Sequence, residues 1–169
     1  MLNFGGQEKN LPVGGNPLVG ILAMITHSPE ETIKYGRILA KKLKGGEVIG
    51  LSGDLGGGKT TFVKGLAQGL GIKETITSPT FVLLKEYKLR PKGHLRGGLL
   101  VHMDAYRVES ENDLKSIGIE DYLVRSNVIL VIEWAEKIKK YLPKNTIYIK
   151  FEFIDENKRE IKIKNDFRN

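Results

Sequence analysis

Cysteine is absent from all 169 residues, so neither disulfides nor thiolate metal sites are open to this chain. That absence agrees with a reducing compartment, and a cytoplasmic location is the expectation. No apolar run approaches the roughly 20 residues that a membrane-spanning helix requires. The apolar stretch Leu18–Ile25 is short, follows no basic segment and carries no convincing cleavage site, which argues against export and against a membrane partner. Acidic residues are outnumbered, 20 against 27 lysines and arginines, for a net charge of +7. The excess suits a solvated lysine-rich surface or attraction to nucleic acid or an acidic partner surface. Its densest part is Lys85, Lys88, Arg90, Lys92 and Arg96, opposed only by Glu86, and no nucleic-acid-binding motif accompanies it.

What is present is a soluble composition with strands and helices in alternation. Residues 1–24 are rich in glycine and proline and nearly uncharged, and read as an irregular extension. Met24 is a candidate start, and 25–169 form one domain. Ser28, Pro29, Glu30 and Glu31 open a helix whose apolar positions are Ile33, Ile38, Leu39 and Leu43, stopped by Gly45 and Gly46. Strands are expected at 47–52, 81–89, 99–104 and 127–133, and helices at 59–70, 114–123 and 134–141. The alternation Ile147, Ile149, Phe151, Phe153 and then Ile161, Ile163 predicts a terminal hairpin. Together these predict an α/β sandwich, a mixed central sheet flanked by helices in a single domain of P-loop NTPase type.

The strongest chemical signal is Gly53-Asp54-Leu55-Gly56-Gly57-Gly58-Lys59-Thr60, a complete G-x-x-x-x-G-K-[ST] pattern between a buried strand and a helix. Its glycines let the backbone curve into a nest of N–H groups, and the helix N-terminus adds partial positive charge at the same place. Such a loop predicts ATP held with Mg2+: Lys59 on the β- and γ-phosphates and the Thr60 hydroxyl on the metal. The metal needs an acidic partner at a neighbouring strand tip, and both Glu133 and Asp104 end apolar strands. The hydroxyl-rich stretch Thr77–Thr80 sits where a γ-phosphate sensor would lie. His102 shares a strand face with Asp104 and is either a core histidine or part of the site. Arg107 could meet phosphate or an acidic neighbour such as Asp121, and Trp134 could be core or a flat wall beside the nucleotide.

The ordered set Ser52-Gly-Asp-Leu-Gly-x-Gly-Lys-Thr-Thr61, Ser78-Pro-Thr-Phe81, His102-x-Asp-x-Tyr-Arg107, Gly118-x-Glu-Asp-Tyr122 and Ile132-Glu-Trp-Ala-Glu136 resembles the bacterial TsaE (YjeE-type) family, ATPases of tRNA threonylcarbamoyladenosine biosynthesis. The resemblance spans about Ile25 to Phe153. It implies weak Mg2+-dependent ATP hydrolysis in support of a TsaD-type transferase and its TsaB-type paralogue, which modify adenosine 37 of tRNAs reading codons that begin with A. Contact with the tRNA itself, direct or indirect through these partners, stays open. Carried onto this chain, the resemblance gives phosphate binding to Gly53 through Thr61 and metal binding to Thr60 and Glu133. Asp104, Thr80 and Glu133 would serve hydrolysis, Trp134 would adjoin the nucleotide, and Ser28 and Thr32 would lie near the adenine. Two other readings of the loop stay open: a small-molecule kinase, and a nucleotide-dependent switch without useful turnover.

Overall fold

The computed structural model describes residues 22–89 and 97–165. Among them a seven-stranded mixed sheet forms, in the order β1-β7-β6-β2-β5-β4-β3. The strands are β1 Leu22–Thr26, β2 Val48–Ser52, β3 Leu84–Lys88, β4 Leu99–Asp104, β5 Val128–Glu133, β6 Ile147–Phe153 and β7 Arg159–Asn165. The centre of the sheet is parallel, β2 lying between β5 and β6 and β4 beside β5. Both ends are antiparallel, through β3 on β4 and through the hairpin β6–β7 that adds β1.

Strand β5 is buried at every position, as a run with no polar residue before its last must be when both sheet faces are covered. Helices α1, Pro29–Ala40, and α2, Lys59–Gly69, cover one face. On the other lie α3, Glu111–Ser116, α4, Ile119–Leu123, and a 3-10 helix, Ala135–Tyr141. The alternation along each strand sorts side chains between two cores: Leu100, Ile129 and Val131 pack toward α1 and α2, while Val101, Met103, Leu130 and Ile132 pack toward the other layer. His102, Asp104 and Glu133 fall on the α2 side by the same parity.

Several boundaries differ from those expected. Leu22–Met24, assigned to the extension, belong to β1, because they pair with Ile161–Ile163 of β7. Residues 1–21 of that extension lie outside the described residues. Helix α1 ends at Ala40, ahead of the glycine pair, and Ile38 is exposed; its inward positions are Thr32, Gly36, Leu39 and Ala40. The strand expected from Phe81 begins only at Leu84. Phe81–Leu83 turn instead, with the Val82 and Leu83 N–H groups donating to the Pro79 carbonyl at 3.1 and 2.7 Å. The helix expected from Leu114 starts at Glu111, where Ser110 and Asp113 form a reciprocal capping box. Gly118, in the left-handed region at φ 65°, breaks it into two.

Candidate functional site

The glycine loop leaves the C-terminal end of β2 and enters α2 at Lys59. Its path takes positive φ at Gly53, Gly56 and Gly58. At Gly53 φ is 121°, and a Cβ there would meet the Phe151 carbonyl oxygen at 2.1 Å. Gly58, the residue ahead of α2, has φ 98°, so the loop can turn its N–H groups inward as the helix begins.

Register then sets the acidic groups. Leu51 of β2, Glu133 of β5 and Asp104 of β4 stand opposite one another across adjacent parallel strands. Glu133 and Asp104 therefore emerge side by side at the strand tips, above the first turn of α2. Both are buried, at 3% and 2% exposure, and so is Lys59 at 4%. Three charged groups at that depth need partners.

Each partner is visible. The Thr60 hydroxyl donates to both Glu133 carboxylate oxygens, at 2.8 and 3.0 Å. Ser78 and Thr80 hydroxyls donate to Asp104 Oδ2 at 2.6 and 2.8 Å, and the Tyr106 N–H donates to Oδ1 at 2.9 Å. Lys59 folds back on its own loop, donating to the Gly53 and Asp54 carbonyls at 2.6 and 2.8 Å. Its ammonium lies 4.0 Å from the centre of the Trp134 ring. Burial pushes the Lys59 ammonium below the usual lysine range, against the opposing pull of Glu133, Glu136, Asp104 and Asp54.

These groups line a cleft of about 490 Å3, the size of a small-molecule site. Leu55, Gly56, Gly57, Gly58, Lys59, Thr60 and Thr61 form one wall; Ser78, Thr80 and Asp104 another; Glu133, Trp134 and Tyr106 close it. Gly53 and Asp54 stand behind, engaged through their carbonyls. Trp134 is thus both, a cleft wall whose other contacts reach the core beneath, tilted against Tyr106 with ring centres 5.1 Å apart. Among the described residues, only Leu83 and Trp134 hold positive φ without being glycine. One ends the turn that carries Thr80 and the other follows Glu133, so the backbone strain is concentrated at the cleft.

Ser28 and Thr32 lie apart from this cleft, in a hollow of about 70 Å3 on the far side of the loop, which they share with Gly56, Gly58, Thr61 and Arg159. Both have structural duties. Ser28 caps α1 by accepting from the Glu31 N–H at 3.3 Å, and Thr32 bonds the Thr26 hydroxyl at 3.0 Å. Arg159 was not singled out by sequence. It comes from the first position of β7, donates to the Gly56 carbonyl at 3.3 Å and stacks on Phe153. No local pattern marks it, since only sheet pairing carries it to the loop. Among the described residues Arg107 forms no ion pair with Asp121; its guanidinium packs on the Phe81 ring at 4.8 Å. In the basic cluster Lys85 and Lys88 are exposed on β3, and Arg90, Lys92 and Arg96 lie outside the described residues.

The donors at the Thr60–Glu133 position are a hydroxyl and a carboxylate, hard oxygen ligands of the kind Mg2+ prefers. Among the described residues no cluster of three or more His, Cys, Asp or Glu could hold a metal unaided. An ion there would have to complete its shell with ligand oxygens and water, which is the usual manner of Mg2+ beside phosphates. No helix of the described residues is long and apolar enough to cross a membrane.

The same fold and much of the sequence occur in known proteins. A solved structure of YdiB from Bacillus subtilis superposes with TM-score 0.70 at 34% identity, over 87% of this chain and 86% of that one. Proteins named tRNA threonylcarbamoyladenosine biosynthesis protein TsaE are similar along most of their length. That of Treponema pallidum is 41% identical over 82% of this chain and 97% of its own, and that of Bacillus subtilis 43% identical over 80% of each. That of Aquifex aeolicus is 40% identical over 83% and 93%. The family profile described as threonylcarbamoyl adenosine biosynthesis protein TsaE matches residues 26–161, and this chain belongs to that family, whose role is in the threonylcarbamoyladenosine modification of tRNA.

Proposed function

We propose that the chain binds ATP with Mg2+ and hydrolyses it slowly, as the accessory ATPase of the tRNA-modifying machinery. Its partners in this reading are a TsaD-type transferase and its TsaB-type paralogue, acting on adenosine 37, in the cytoplasm. One observation carries it: the loop ending in Lys59 and Thr60 opens a helix directly against a buried carboxylate, Glu133, to which Thr60 is already bonded.

The loop N–H groups and the N-terminus of α2 receive the phosphates. Lys59 is held in the cleft by two carbonyls, and exchanges them for β- and γ-phosphate oxygens, which also restore the charge that burial disfavours. Thr60 and Glu133 would hold Mg2+, which when bound offsets negative charge on the phosphate oxygens. Asp104 is the carboxylate free of that duty. It faces the same cleft, gathers Ser78 and Thr80, and is placed to take a proton from the water that attacks the γ-phosphorus as ADP departs. Because the 77–83 turn hangs on Asp104, its position follows whatever that carboxylate contacts, a route by which phosphate occupancy reaches the surface. Ser28, Thr32 and Arg159 place the base and sugar on the hollow beyond Gly58.

The test is steady-state phosphate release by the purified chain, alone and with the transferase pair, with and without Mg2+. Slow release that rises with the pair and requires Mg2+ is expected. Phosphoryl transfer to a small-molecule acceptor would make the chain a kinase, and tight ATP binding without turnover in any mixture would make it a switch.

A further inference from the structure

His102 has no solvent exposure, and its Nε2 lies 2.8 Å from Glu133 Oε1. Its other ring nitrogen, Nδ1, has no hydrogen-bond partner; among the described residues the only other buried side-chain polar atom in that state is the Tyr87 hydroxyl. The geometry points to His102 as the positioning residue of the metal site, an Nε2–H tautomer that holds the Glu133 carboxylate in one orientation before and after nucleotide arrives.

The tautomer follows from the two nitrogens together. A proton on Nδ1 alone would be a buried donor without an acceptor, and the Nε2 lone pair would then face a carboxylate oxygen. A proton on Nε2 removes both faults, leaving at Nδ1 only a lone pair without a partner. The positioning role follows from what Thr60 must do. At present Glu133 has two anchors, the Thr60 hydroxyl on both oxygens and His102 on Oε1. In the proposed function the Thr60 oxygen gives a lone pair to the metal, and its single hydrogen no longer spans both Glu133 oxygens. His102 is then what keeps Oε1 engaged from behind and Oε2 toward the cleft. It is fixed in turn by the sheet: it stands on β4 opposite Val131 of β5, two residues before Asp104 as Val131 is two before Glu133. A carboxylate ligand held in this way binds its metal more tightly than one free to rotate.

This inference rests on the metal reading given above, and its test separates the two. Mg2+ affinity is measured on the nucleotide complex by calorimetry, and nucleotide affinity is measured separately in excess chelator. His102→Leu keeps the bulk and loses the donor; Mg2+ affinity should fall about 10- to 100-fold, while metal-free nucleotide affinity stays unchanged. His102→Gln offers an amide N–H to Glu133 and should restore Mg2+ affinity to within about threefold of wild type. Equal Mg2+ affinity in His102→Leu, an equal loss in both variants, or a parallel loss of metal-free nucleotide binding would overturn the assignment. A direct reading on the unmodified protein covers the case in which His102→Leu does not fold. Long-range 1H–15N spectra should show His102 protonated at Nε2 and bare at Nδ1, and the reverse pattern overturns the proposal. Wild-type nucleotide binding indifferent to Mg2+ would instead sink the metal reading itself, whatever the tautomer.

Discussion

The Thr60 hydroxyl donates to both carboxylate oxygens of Glu133, two residues 73 positions apart in the chain. A helix N-terminus and a strand tip are thereby tied at the point where a metal would sit. The bond keeps a buried carboxylate satisfied in the unliganded protein and keeps the hydroxyl aimed at it. Ligand arrival then exchanges partners within a formed site and has no site to build. The same economy of partners holds for Lys59 with its two carbonyls and for Asp104 with its three donors.

In the proposed function, replacing Lys59 by alanine removes the charge that meets the phosphates, and ATP affinity should fall at least about 100-fold, ~2.7 kcal/mol. The wild-type ammonium sits on the ring of the single tryptophan, Trp134. Nucleotide should draw it away and change the Trp134 emission, and Lys59→Ala should lose that response. Calorimetric ATP affinity equal to wild type in the variant would refute the assignment.

Glu133→Gln and Asp104→Asn should separate the two carboxylates. The first should leave nucleotide affinity within about tenfold, ~1.4 kcal/mol, because in the proposed function backbone amides and Lys59 carry the phosphates, while it abolishes the stimulation by Mg2+. The second should retain Mg2+-strengthened binding but slow phosphate release. Single-turnover assays over a Mg2+ series would read both, and the opposite pattern would exchange their roles.

Helices α1 and α2 touch through glycines. A Cβ on Gly65 would meet the Ile33 carbonyl oxygen at 2.2 Å, and one on Gly36 would meet the Phe62 carbonyl oxygen at 2.4 Å. Both obstacles are backbone, so the helices themselves must separate. Gly65→Ala should cost about 1–3 kcal/mol or more, read as a lower urea midpoint. It should also weaken ATP binding, since α2 carries Lys59 and Thr60.

On the open face of the terminal hairpin, Glu152 bonds Lys150 at 2.7 Å and Lys162 at 2.8 Å. Hydrogen bonds from these lysines hold its carboxyl down to about 2, below the ordinary 4.5. With the folded value depressed, its stabilising contribution is complete above pH 4.5 and is lost as pH falls toward 2. The side chains are partly in water, so the contribution is small and screened by salt. A carbon-detected titration of Glu152 should give a midpoint near 2 that rises in 1 M salt, whereas a midpoint at the ordinary value would show the pairs to be transient.

The glycine loop, the carboxylates at 104 and 133 and the strand–helix alternation are legible in the sequence, because each rests on a local rule. Glycines are needed where φ is positive, apolar runs where both faces are covered, and a carboxylate where a buried strand meets the surface. The ordered motifs from Ser52 to Glu136 carry the family with equal directness. The turn at Phe81–Leu83 was not legible. Its residues favour a strand, but the Pro79 carbonyl takes the Val82 and Leu83 N–H groups while Asp104 holds Ser78 and Thr80.

Tertiary structure also decided His102, which local sequence left between core and site. Parity placed it on the face of Asp104, but its bond to Glu133 depends on the pairing of β4 with β5. Arg159 is the same case, since the β6–β7 pairing alone returns it to Gly56. The sequence by itself determined which groups could do chemistry and that they meet at strand tips. Sheet register decided which carboxylate faces Thr60, which gathers the hydroxyl loop and which side chains stand behind them. A local signal reaches only a few residues along the chain, whereas those contacts join segments that only packing brings together.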